Sequence, residues 1–347
     1  MKIRAKQLAR ELGLSPATIS LVQNNKPGVS EKTRKLVLQA LEEHGILSAG
    51  SQPVVKSKNG NIRFVVFKRR VNAYESTPFY GGILEGAERQ ARQSGYNIAM
   101  TYLNREQDSL SEAIEVIRSE KPDGIIMLAT EMSQAEIELF LQLNLPLVAV
   151  DNPLETLCCS GVSIDNLHGA RQAAEYLIAC GHKRIGYLRS AFDISNFRQR
   201  ERGLRMVLAE HGLRLDESDL YDFNMKATGC YDRLLKNLND GKSPTVFFAD
   251  NDSLAIEVMK IIKSIGLKIP DDVSIIGFDD DSLCEVVEPH LTTVHVYKDY
   301  IGTIAVQALV DIIEGGRELC VKQTVSTKLI IRDSVRCLEP EEAEQEL

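Results

Sequence analysis

The stretch Leu8-Ala-Arg-Glu-Leu-Gly-Leu-Ser-Pro-Ala-Thr-Ile-Ser-Leu-Val-Gln-Asn24 decides how the chain begins to fold. The leucines in its first part have the spacing of one helix face, and Gly13 interrupts that run. Ser15-Pro16 follows, in which the serine hydroxyl can cap a helix and the proline takes the first helical position, where no N–H is needed. The pattern predicts a helix over about 5–12, a tight glycine turn, and a second helix over about 16–24.

This arrangement is typical of a helix-turn-helix. Ile19 and Val22 fall on the inner face of the second helix, and a third helix is predicted from Ser30, as its cap, to Gly45. In a helix-turn-helix the second helix enters the major groove of DNA with its amino-terminal end first. The candidate DNA contacts are therefore the residues at the start and on the outer face of that helix: Ser15, Pro16, Ala17, Thr18, Leu21 and Asn24. A three-helix module that binds protein is the alternative.

The distribution of charge favours DNA as the partner of this head. The chain has 347 residues and a formal net charge of −8, which alone argues against a polyanionic partner. Residues 1–60, however, contain ten Lys or Arg and four Asp or Glu, a net charge of +6. The remaining 287 residues contain 31 basic and 45 acidic residues, a net charge of −14. A basic head can bind phosphate, while an acidic body is repelled from DNA and orients the head toward it.

The sequence shows no secretory signal and no apolar run near the ~20 residues that a membrane span needs. We therefore expect a cytoplasmic protein without a membrane partner. In that compartment we expect seven free thiols, at Cys158, Cys159, Cys180, Cys230, Cys284, Cys320 and Cys337. A redox switch formed by the vicinal Cys158-Cys159 is the alternative for that pair.

The body of the chain, residues 62–336, alternates predicted strands and helices. Apolar runs such as Gly124–Leu128 and Val273–Gly277 are typical of parallel strands buried on both faces. Strands are predicted at 62–67, 97–102, 124–128, 147–150, 162–164, 184–188, 219–222, 245–248 and 273–277, and helices at 79–94, 133–143, 167–180, 198–211, 229–239 and 252–265. The alternation predicts a doubly wound α/β fold, and its length predicts two lobes, because a single core rarely grows so large.

No motif of an enzyme is found in this body. It lacks the Gly-x-Gly-x-x-Gly of dinucleotide-binding folds, the phosphate-binding P-loop, a nucleophile elbow and His-Glu-x-x-His, and its histidines are scattered. We therefore expect no catalytic residues, no metal site and no cofactor.

Polar residues follow three of the predicted strands, at Asp151-Asn152, Asn251-Asp252 and Asp279–Asp281. Ligands of doubly wound folds bind beyond the carboxyl ends of the strands. Carboxylates and amides there could hydrogen-bond the hydroxyls of a sugar or a similar polar ligand. Apolar faces for that ligand could come from Phe79, Tyr80, Phe223 and Phe278. A helix cap is the alternative for any one of these aspartates and suits Asp252 well.

The Leu8–Asn24 stretch, followed by Val29-Ser-Glu-Lys-Thr-Arg34, resembles the head of lactose-repressor-type (LacI-family) bacterial transcription regulators. The resemblance implies that Thr18, Ser20 and Asn24 lie near phosphates. It also implies that Pro16, Ala17 and Leu21 face base edges. Many members carry an Arg at the position of Leu21, which can bond guanine bidentately, whereas a leucine could contact a thymine methyl.

The linker at 48–61 departs from the family pattern. Members often place a short hinge helix here, with a leucine that wedges into the minor groove, but this stretch is rich in Ser, Gly, Lys and Asn and has no helical apolar stripe. We expect a flexible connection without a leucine wedge, in which Lys56 and Lys58 contact phosphates.

The resemblance continues through the body in Gly181-His-Lys-Arg-Ile185, Arg200-Glu-Arg-Gly203, Ala249–Ala255, Ile275–Asp280, Pro289–Thr293 and the last-strand segment Leu329–Ser334. It implies an all-α helix-turn-helix head followed by an α/β periplasmic-binding-protein-like core of two doubly wound lobes. The effector would be held by Arg200, Asn251 and Asp279. Asp151 and Phe223-Asn224 would lie at the cleft edge, and Phe79 would line the other lobe.

The implied domain map has a DNA-binding head at 1–47, the linker at 48–61 and the effector-binding core at 62–336. The chain would cross between lobes near 158–161, 288–292 and 320. The first lobe would then comprise about 62–160 and 291–320, and the second about 161–290 and 321–336. An acidic tail follows at 337–347, and because it lacks leucine heptads we expect a homodimer rather than a tetramer.

The sequence therefore predicts a DNA-binding transcription regulator, in this family most often a repressor. A homodimer would bind a near-palindromic operator, and a small polar effector, a sugar or sugar derivative by analogy, would control its affinity allosterically. One alternative is a sugar-binding protein without a DNA role, and another is an α/β enzyme acting on a sugar.

Overall fold

The structure, a computed structural model, describes residues 5–23, 29–30, 33, 35–37, 40, 60–69, 77–190, 193–223, 229–315 and 319–338. The chain divides into a head, which lies within Met1–Gly60, and a core, which begins at Asn61. Among the described residues, no helix is both long and apolar enough to cross a membrane.

The head contains the predicted helix-turn-helix. Helix α1 (Ala5–Glu11) and helix α2 (Pro16–Gln23) end within a residue of the predicted bounds. Gly13 between them has a φ of +63°, a left-handed conformation that glycine adopts without strain. The Ser15 hydroxyl accepts a hydrogen bond from the Thr18 N–H at 3.0 Å and so caps α2 as predicted.

The hydrophobic centre of the head joins both helices to the following segment. Described residues from 33 to 40 are helical, and the Ser30 hydroxyl accepts from the Thr33 N–H at 3.2 Å, as predicted for the cap of a third helix. The buried residues are Leu8, Ala9, Ile19, Val22, Val37 and Ala40.

The core alternates strands and helices. In chain order they are β1 (Gly60–Lys68), α3 (Thr77–Ser94), β2 (Tyr96–Asn104), α4 (Leu110–Glu120), β3 (Gly124–Leu128), α5 (Gln134–Leu141), β4 (Leu147–Val150), β5 (Ser160–Ile164), α6 (Asn166–Ala179), β6 (Ile185–Ser190), α7 (Ser195–Glu210), β7 (Leu220–Phe223), α8 (Gly229–Asn239), β8 (Val246–Ala249), α9 (Asp252–Ser264), β9 (Ser274–Ile276), β10 (Thr293–His295), α10 (Lys298–Gly315), β11 (Lys322–Val325) and β12 (Lys328–Ile330). Two of these helices, α4 and α10, were not among the predicted elements.

Two parallel sheets form the two lobes. The first has the strand order β11-β5-β4-β3-β1-β2, with β1, β3, β4, β5 and β11 paired in parallel. The second has the order β7-β6-β8-β9, also parallel. A short antiparallel pair, β10 and β12, continues the second sheet through bridges at Thr292 and His295. The predicted doubly wound architecture of two lobes is confirmed.

The chain crosses between the lobes a few residues later than predicted. Ser160–Ile164 pairs with β4, and Lys322–Val325 pairs with Ser160–Ile164, so both belong to the first sheet rather than the second lobe. The crossings therefore follow β5, β10 and β11 instead of lying near 158–161, 288–292 and 320. The reason is that the backbones of β5 and β11 pair in register with the first sheet and extend it by two strands. The bounds of head, linker and tail stay predictions.

Two helices of the first lobe approach each other so closely that only glycine fits between them. A Cβ on Gly86 of α3 would collide with the backbone oxygen of Asp299, and a Cβ on Gly302 of α10 would collide with the backbone oxygen of Ile83. This contact fixes α10 against α3. Helix α10 follows the second crossing, and α3 begins at the cleft.

The expectation of seven free thiols is wrong for one pair. Cys180 and Cys337 are joined as a disulfide, which brings the end of the described chain to the segment before β6. The Leu338 N–H also donates to the carbonyl of Cys180 at 2.8 Å. The pairing was not foreseen because the two residues are 157 positions apart in the sequence.

Candidate functional site: head helix and interlobe cleft

In the head, the described part of the candidate DNA interface lies on and just before α2. Ser15 is exposed at the helix start, and its hydroxyl lies 2.9 Å from that of Thr18. Ile19 and Val22 are buried, whereas Leu21 is partly exposed, as a helix that presents its other face to DNA requires. Pro16, Ala17 and Ser20 also belong to α2. Asn24, Lys56 and Lys58 lie outside the described residues.

In the cleft, Arg200 of α7 is the centre of the site. It is only 2% exposed, and all three guanidinium nitrogens donate hydrogen bonds. Nε donates to Asn166 Oδ1 at 2.9 Å, Nη1 to the carbonyl of Asp250 at 2.5 Å, and Nη2 to Asp279 Oδ1 at 3.0 Å. The predicted pair Arg200 and Asp279 is thus brought together by the fold, at the carboxyl ends of the second-sheet strands.

The same guanidinium stacks on an aromatic ring. The Phe278 ring centroid lies 3.7 Å from the guanidinium carbon of Arg200, and the Phe197 ring lies 5.4 Å from it on the same helix. Arg200 is therefore fixed by hydrogen bonds at its edge and by rings at its face, which suits a preorganised binding group.

Asp151, which follows β4 in the first lobe, is buried and contacts the second lobe. Its carboxylate accepts hydrogen bonds from the Thr130 hydroxyl at 2.7 Å and from Asn196 Nδ2 of α7 at 2.8 Å. Its φ of +62° is unusual for a non-glycine residue and marks a strained backbone at the strand end. The predicted cleft position of Asp151 thus coincides with a direct hydrogen bond between the lobes.

A second polar contact between the lobes lies at α10. Lys298 Nζ, at the start of that helix, donates to Asp281 Oδ1 at 2.8 Å and to the carbonyl of Asp280 at 3.2 Å. The same amine lies 6.0 Å from the ring centroid of Phe79, the predicted first-lobe residue on α3. Lys298 therefore links the Phe79 side of the cleft to the aspartates that follow β9.

Asn251, rather than Asp252, caps α9. The Asn251 side-chain oxygen accepts from the Leu254 N–H at 2.9 Å, whereas a helix cap was the alternative considered for Asp252. Asp252 is fully buried and accepts from the Thr293 hydroxyl at 2.5 Å and from the Asp281 N–H at 2.8 Å. Asn251 is the cap because it has an extended backbone conformation and directly precedes the helix.

The remaining predicted effector residues differ in placement. Phe223 ends β7 and is buried in the second-lobe core, with its ring 5.0 Å from that of Tyr231. No described contact joins it to Arg200. Asn224 lies outside the described residues.

A cavity of about 270 Å³ opens at the cleft between Thr130 and Asn152 of the first lobe and Ser195 and Arg198 of the second. Its described lining flanks Asp151 and Asn196 without including Arg200 or Asp279. The volume lies just below the ~300–1,000 Å³ usual for small-molecule sites.

The site is rich in carboxylates whose pKa values are raised. Burial raises the pKa of Asp151 and of Asp279 to about 6, against donors that favour the charged form. Burial raises the pKa of Asp250 to about 7. Burial together with the neighbouring negative charge of Asp279 raises the pKa of Asp252 to about 8. Among the residues that the structure describes, the buried guanidinium of Arg200 therefore faces several acids, and the cleft carries no surplus of positive charge.

Within the described ranges, no group of three or more His, Cys, Asp and Glu side chains is arranged to hold a metal ion. The arrangement offers hydrogen-bond acceptors and one fixed donor group, which suits recognition of a hydroxylated ligand. Sequence reasoning missed Asn166, Asn196, Asp250 and Lys298. Only Asp250 had a signal, since it adjoins the strand-end pair Asn251-Asp252.

Comparison with known proteins supports the assignment of both the head and the core. The family described as "Bacterial regulatory proteins, lacI family" matches residues 6–46, and the "Periplasmic binding protein-like domain" matches residues 174–335. The chain belongs to the LacI family. It is a DNA-binding transcription regulator with a helix-turn-helix head and an effector-binding core, and LacI-family proteins are regulators rather than enzymes.

Individual LacI-family relatives match nearly the whole chain. The HTH-type transcriptional repressor PurR of Pasteurella multocida is 27% identical over 332 residues, which are 95% of this chain and 98% of that protein. The transcriptional regulator CelR in complex with cellobiose is 25% identical, with a TM-score of 0.71, over 96% of this chain and 99% of the other. The lac repressor dimer bound to operator and the anti-inducer ONPF is 20% identical, with a TM-score of 0.67, over 97% and 100% of the two chains, and supports the fold.

Proposed function

We propose that this LacI-family regulator binds a neutral, hydroxyl-rich ligand, a sugar or sugar derivative, in the cleft at Arg200, Asp279 and Asp151, and that this ligand controls its affinity for DNA. The observation that carries the proposal is the buried hydrogen-bond set of Arg200, which ends on Asp279 Oδ1 at 3.0 Å. A guanidinium beside a carboxylate can donate to one hydroxyl of a sugar and accept from the next.

The charge of the cleft supports a neutral ligand over a phosphorylated one. The positive charge of Arg200 already faces Asp279, and Asp250 and Asp252 are buried nearby in the same strand-end region. A phosphate would bring about −1.5 to −2 charges next to the carboxylate of Asp279 and would also oppose ionisation of Asp250 and Asp252, whereas neutral hydroxyls bind there without a charge. The CelR complex with cellobiose is consistent with this class of ligand.

The contact between Asp151 and Asn196 suggests how the ligand acts. The two lobes meet directly at this bond, so a ligand that replaces or extends it changes the relative stability of two lobe arrangements. A ligand shifts that equilibrium only as far as its affinity differs between the two states. A typical coupling of about 1–3 kcal/mol would change operator affinity about 5–150-fold.

For the head, we propose that α2 enters the major groove and that a homodimer binds the two half-sites of a near-palindromic operator and represses transcription. The buried Ile19 and Val22 leave Leu21 and Thr18 on a less buried part of α2. The lac repressor structure is a dimer on its operator, which supports the same assembly here. A DNA-binding regulator of this kind acts in the cytoplasm.

The test combines a ligand screen with DNA binding. A thermal-shift screen of the full chain compares neutral mono- and disaccharides, the corresponding sugar phosphates, and nucleobases, because a ligand at 100 times its Kd stabilises by about 2.7 kcal/mol. A gel shift with the native upstream DNA then measures the effect of the best compound. We expect a neutral sugar to stabilise the chain and to change a specific DNA complex.

Other outcomes would contradict the proposal. Stabilisation by sugar phosphates or nucleobases alone would show that the ligand class is wrong. Sugar binding with no specific DNA complex would favour a sugar-binding protein without a DNA role, and catalytic turnover of the sugar would favour an enzyme.

A further inference from the structure

Two cysteines far apart in the sequence lie side by side at the edge of the first sheet. The thiol of Cys158 lies 2.8 Å from the sulfur of Cys320, and 162 residues separate them along the chain. Cys158 is exposed and Cys320 partly so. Their sulfurs are less than 1 Å farther apart than the ~2.05 Å of a disulfide bond.

The sheet register holds the two chains together at this point. Cys158 and Cys320 lie two residues before β5 and β11, which pair in parallel with Gly161 opposite Lys322. The Gly161 N–H donates to the carbonyl of Val321 at 3.0 Å, and the Val321 N–H donates to the Ser160 hydroxyl at 3.1 Å. The backbones beside both thiols are therefore fixed, so their proximity follows from the fold rather than from flexible side chains.

The vicinal Cys159 has a different environment. It is 2% exposed, and its thiol donates to the carbonyl of Ser160 at 3.3 Å. Burial raises the pKa of the Cys159 thiol to about 11, so it is a poor nucleophile at neutral pH. The structure thus pairs Cys158 with a residue across the sheet edge and leaves its sequence neighbour in the core.

We propose that Cys158 and Cys320 are a reversible thiol–disulfide modification site that reacts with a low-molecular-weight disulfide such as oxidised glutathione. The thiolate of the exposed Cys158 attacks one sulfur of the small disulfide, forms a mixed disulfide and releases one small thiolate. Cys320 then loses its proton and attacks the Cys158 sulfur, which releases the second small thiolate. Two cysteine thiols are oxidised to one disulfide, and one small disulfide is reduced to two thiols.

The surroundings favour this order of events. The hydrogen bond with Cys158 raises the pKa of the Cys320 thiol, and Cys158 is the more exposed of the two, so a small disulfide in solution reaches Cys158 first. Lys322 contributes a positive charge that opposes this rise. The Lys322 amine also donates to the carbonyl of Leu154, in the segment that connects Asp151 to Cys158. A bridge at Cys158 would thus restrain a segment that starts in the cleft.

The test is disulfide mapping of the full chain equilibrated in glutathione buffers of increasing oxidised fraction. Free thiols are blocked, the chain is digested without reduction, and linked peptides are identified by mass. We expect a Cys158–Cys320 peptide pair lighter by two hydrogens than the two reduced peptides, which dithiothreitol converts back to thiols. Oxidation should also raise the thermal midpoint by roughly 5 °C or more and slow amide exchange over 153–159.

Matched variants make the result specific. C158S and C320S should each abolish the linked pair and the thermal shift, whereas C230S, which changes a partly buried thiol in the second lobe, should keep both. The proposal is overturned if Cys158 ends as a stable mixed disulfide with glutathione, links to Cys159 or to a second copy of the chain, or stays reduced at every buffer ratio.

Discussion

Replacing Asn196 with alanine removes the hydrogen bond by which the second lobe holds Asp151 of the first. The bond is 2.8 Å long between two side chains that are 3% and 1% exposed. A hydrogen bond to a charged acceptor contributes about 1.5–3 kcal/mol, and Thr130 remains as the other donor to this carboxylate. We expect N196A to lower the free energy of unfolding by about 2 kcal/mol, measured by urea denaturation at pH 8.

The matched control is Asn237→Ala within the second lobe. Asn237 Nδ2 donates to the neutral hydroxyl of Tyr221 at 2.9 Å, and such a bond contributes about 0.5–1.5 kcal/mol. N196A should therefore cost about 1 kcal/mol more than N237A. Equal losses in the two variants would refute the reasoning, because the contact between lobes would then add nothing beyond an ordinary internal bond.

The effect of N196A should also depend on pH. Burial raises the pKa of Asp151 to about 6 in the folded chain, so the folded state favours the protonated carboxyl group. The stability that this group contributes is present below its unfolded pKa and is lost as pH rises through 6. Removing the Asn196 donor raises this pKa further and steepens the loss. The difference between wild type and variant should be largest above pH 6 and smaller at pH 5, and a difference independent of pH would contradict this origin.

Two further predictions concern packing and charge. Gly302→Ala places a methyl against a backbone oxygen of the facing helix and should destabilise the chain by about 1–3 kcal/mol or more, whereas Gly81→Ala, with no atom within 4 Å, should stabilise it by about 0.5–1 kcal/mol in the same denaturation assay. Equal effects would refute the close helix contact. Asp252, whose pKa is raised to about 8, should make the free energy of unfolding fall between pH 4 and 8, and Asp252→Asn should flatten this slope. An unchanged pH dependence in Asp252→Asn would show that a group other than Asp252 causes it.

Local sequence patterns predicted the head and most strands because these elements are determined by residues close together in the sequence. Gly13 and the Ser15 cap determine where α1 ends and α2 begins. Buried runs such as Gly124–Leu128 need no long-range knowledge. The helix at Leu110–Glu120 had an equally local signal, since Ser109 caps it and its buried residues follow helical spacing, but it was not recognised.

The interlobe site could be predicted only in part because its geometry is long-range. The strand-end positions of Asp151 and Asp279 followed from the alternation of strands and helices. The partners of Arg200 lie 34, 50 and 79 residues away, and Asn196 lies 45 residues from Asp151. No spacing rule connects such residues, and the pairing of Cys158 with Cys320 had no sequence signal for the same reason.

The measurement that tests the central claim most directly is DNA affinity, by fluorescence anisotropy on the native upstream DNA, with and without the neutral sugar that gives the largest thermal shift. Wild type should change its affinity about 5–150-fold when the sugar is added. Arg200→Ala should bind the same DNA, which also shows that it is folded, but should not respond to the sugar. Arg205→Ala, which changes a half-exposed arginine on the same helix, should respond like wild type. A sugar response retained in R200A would contradict the account.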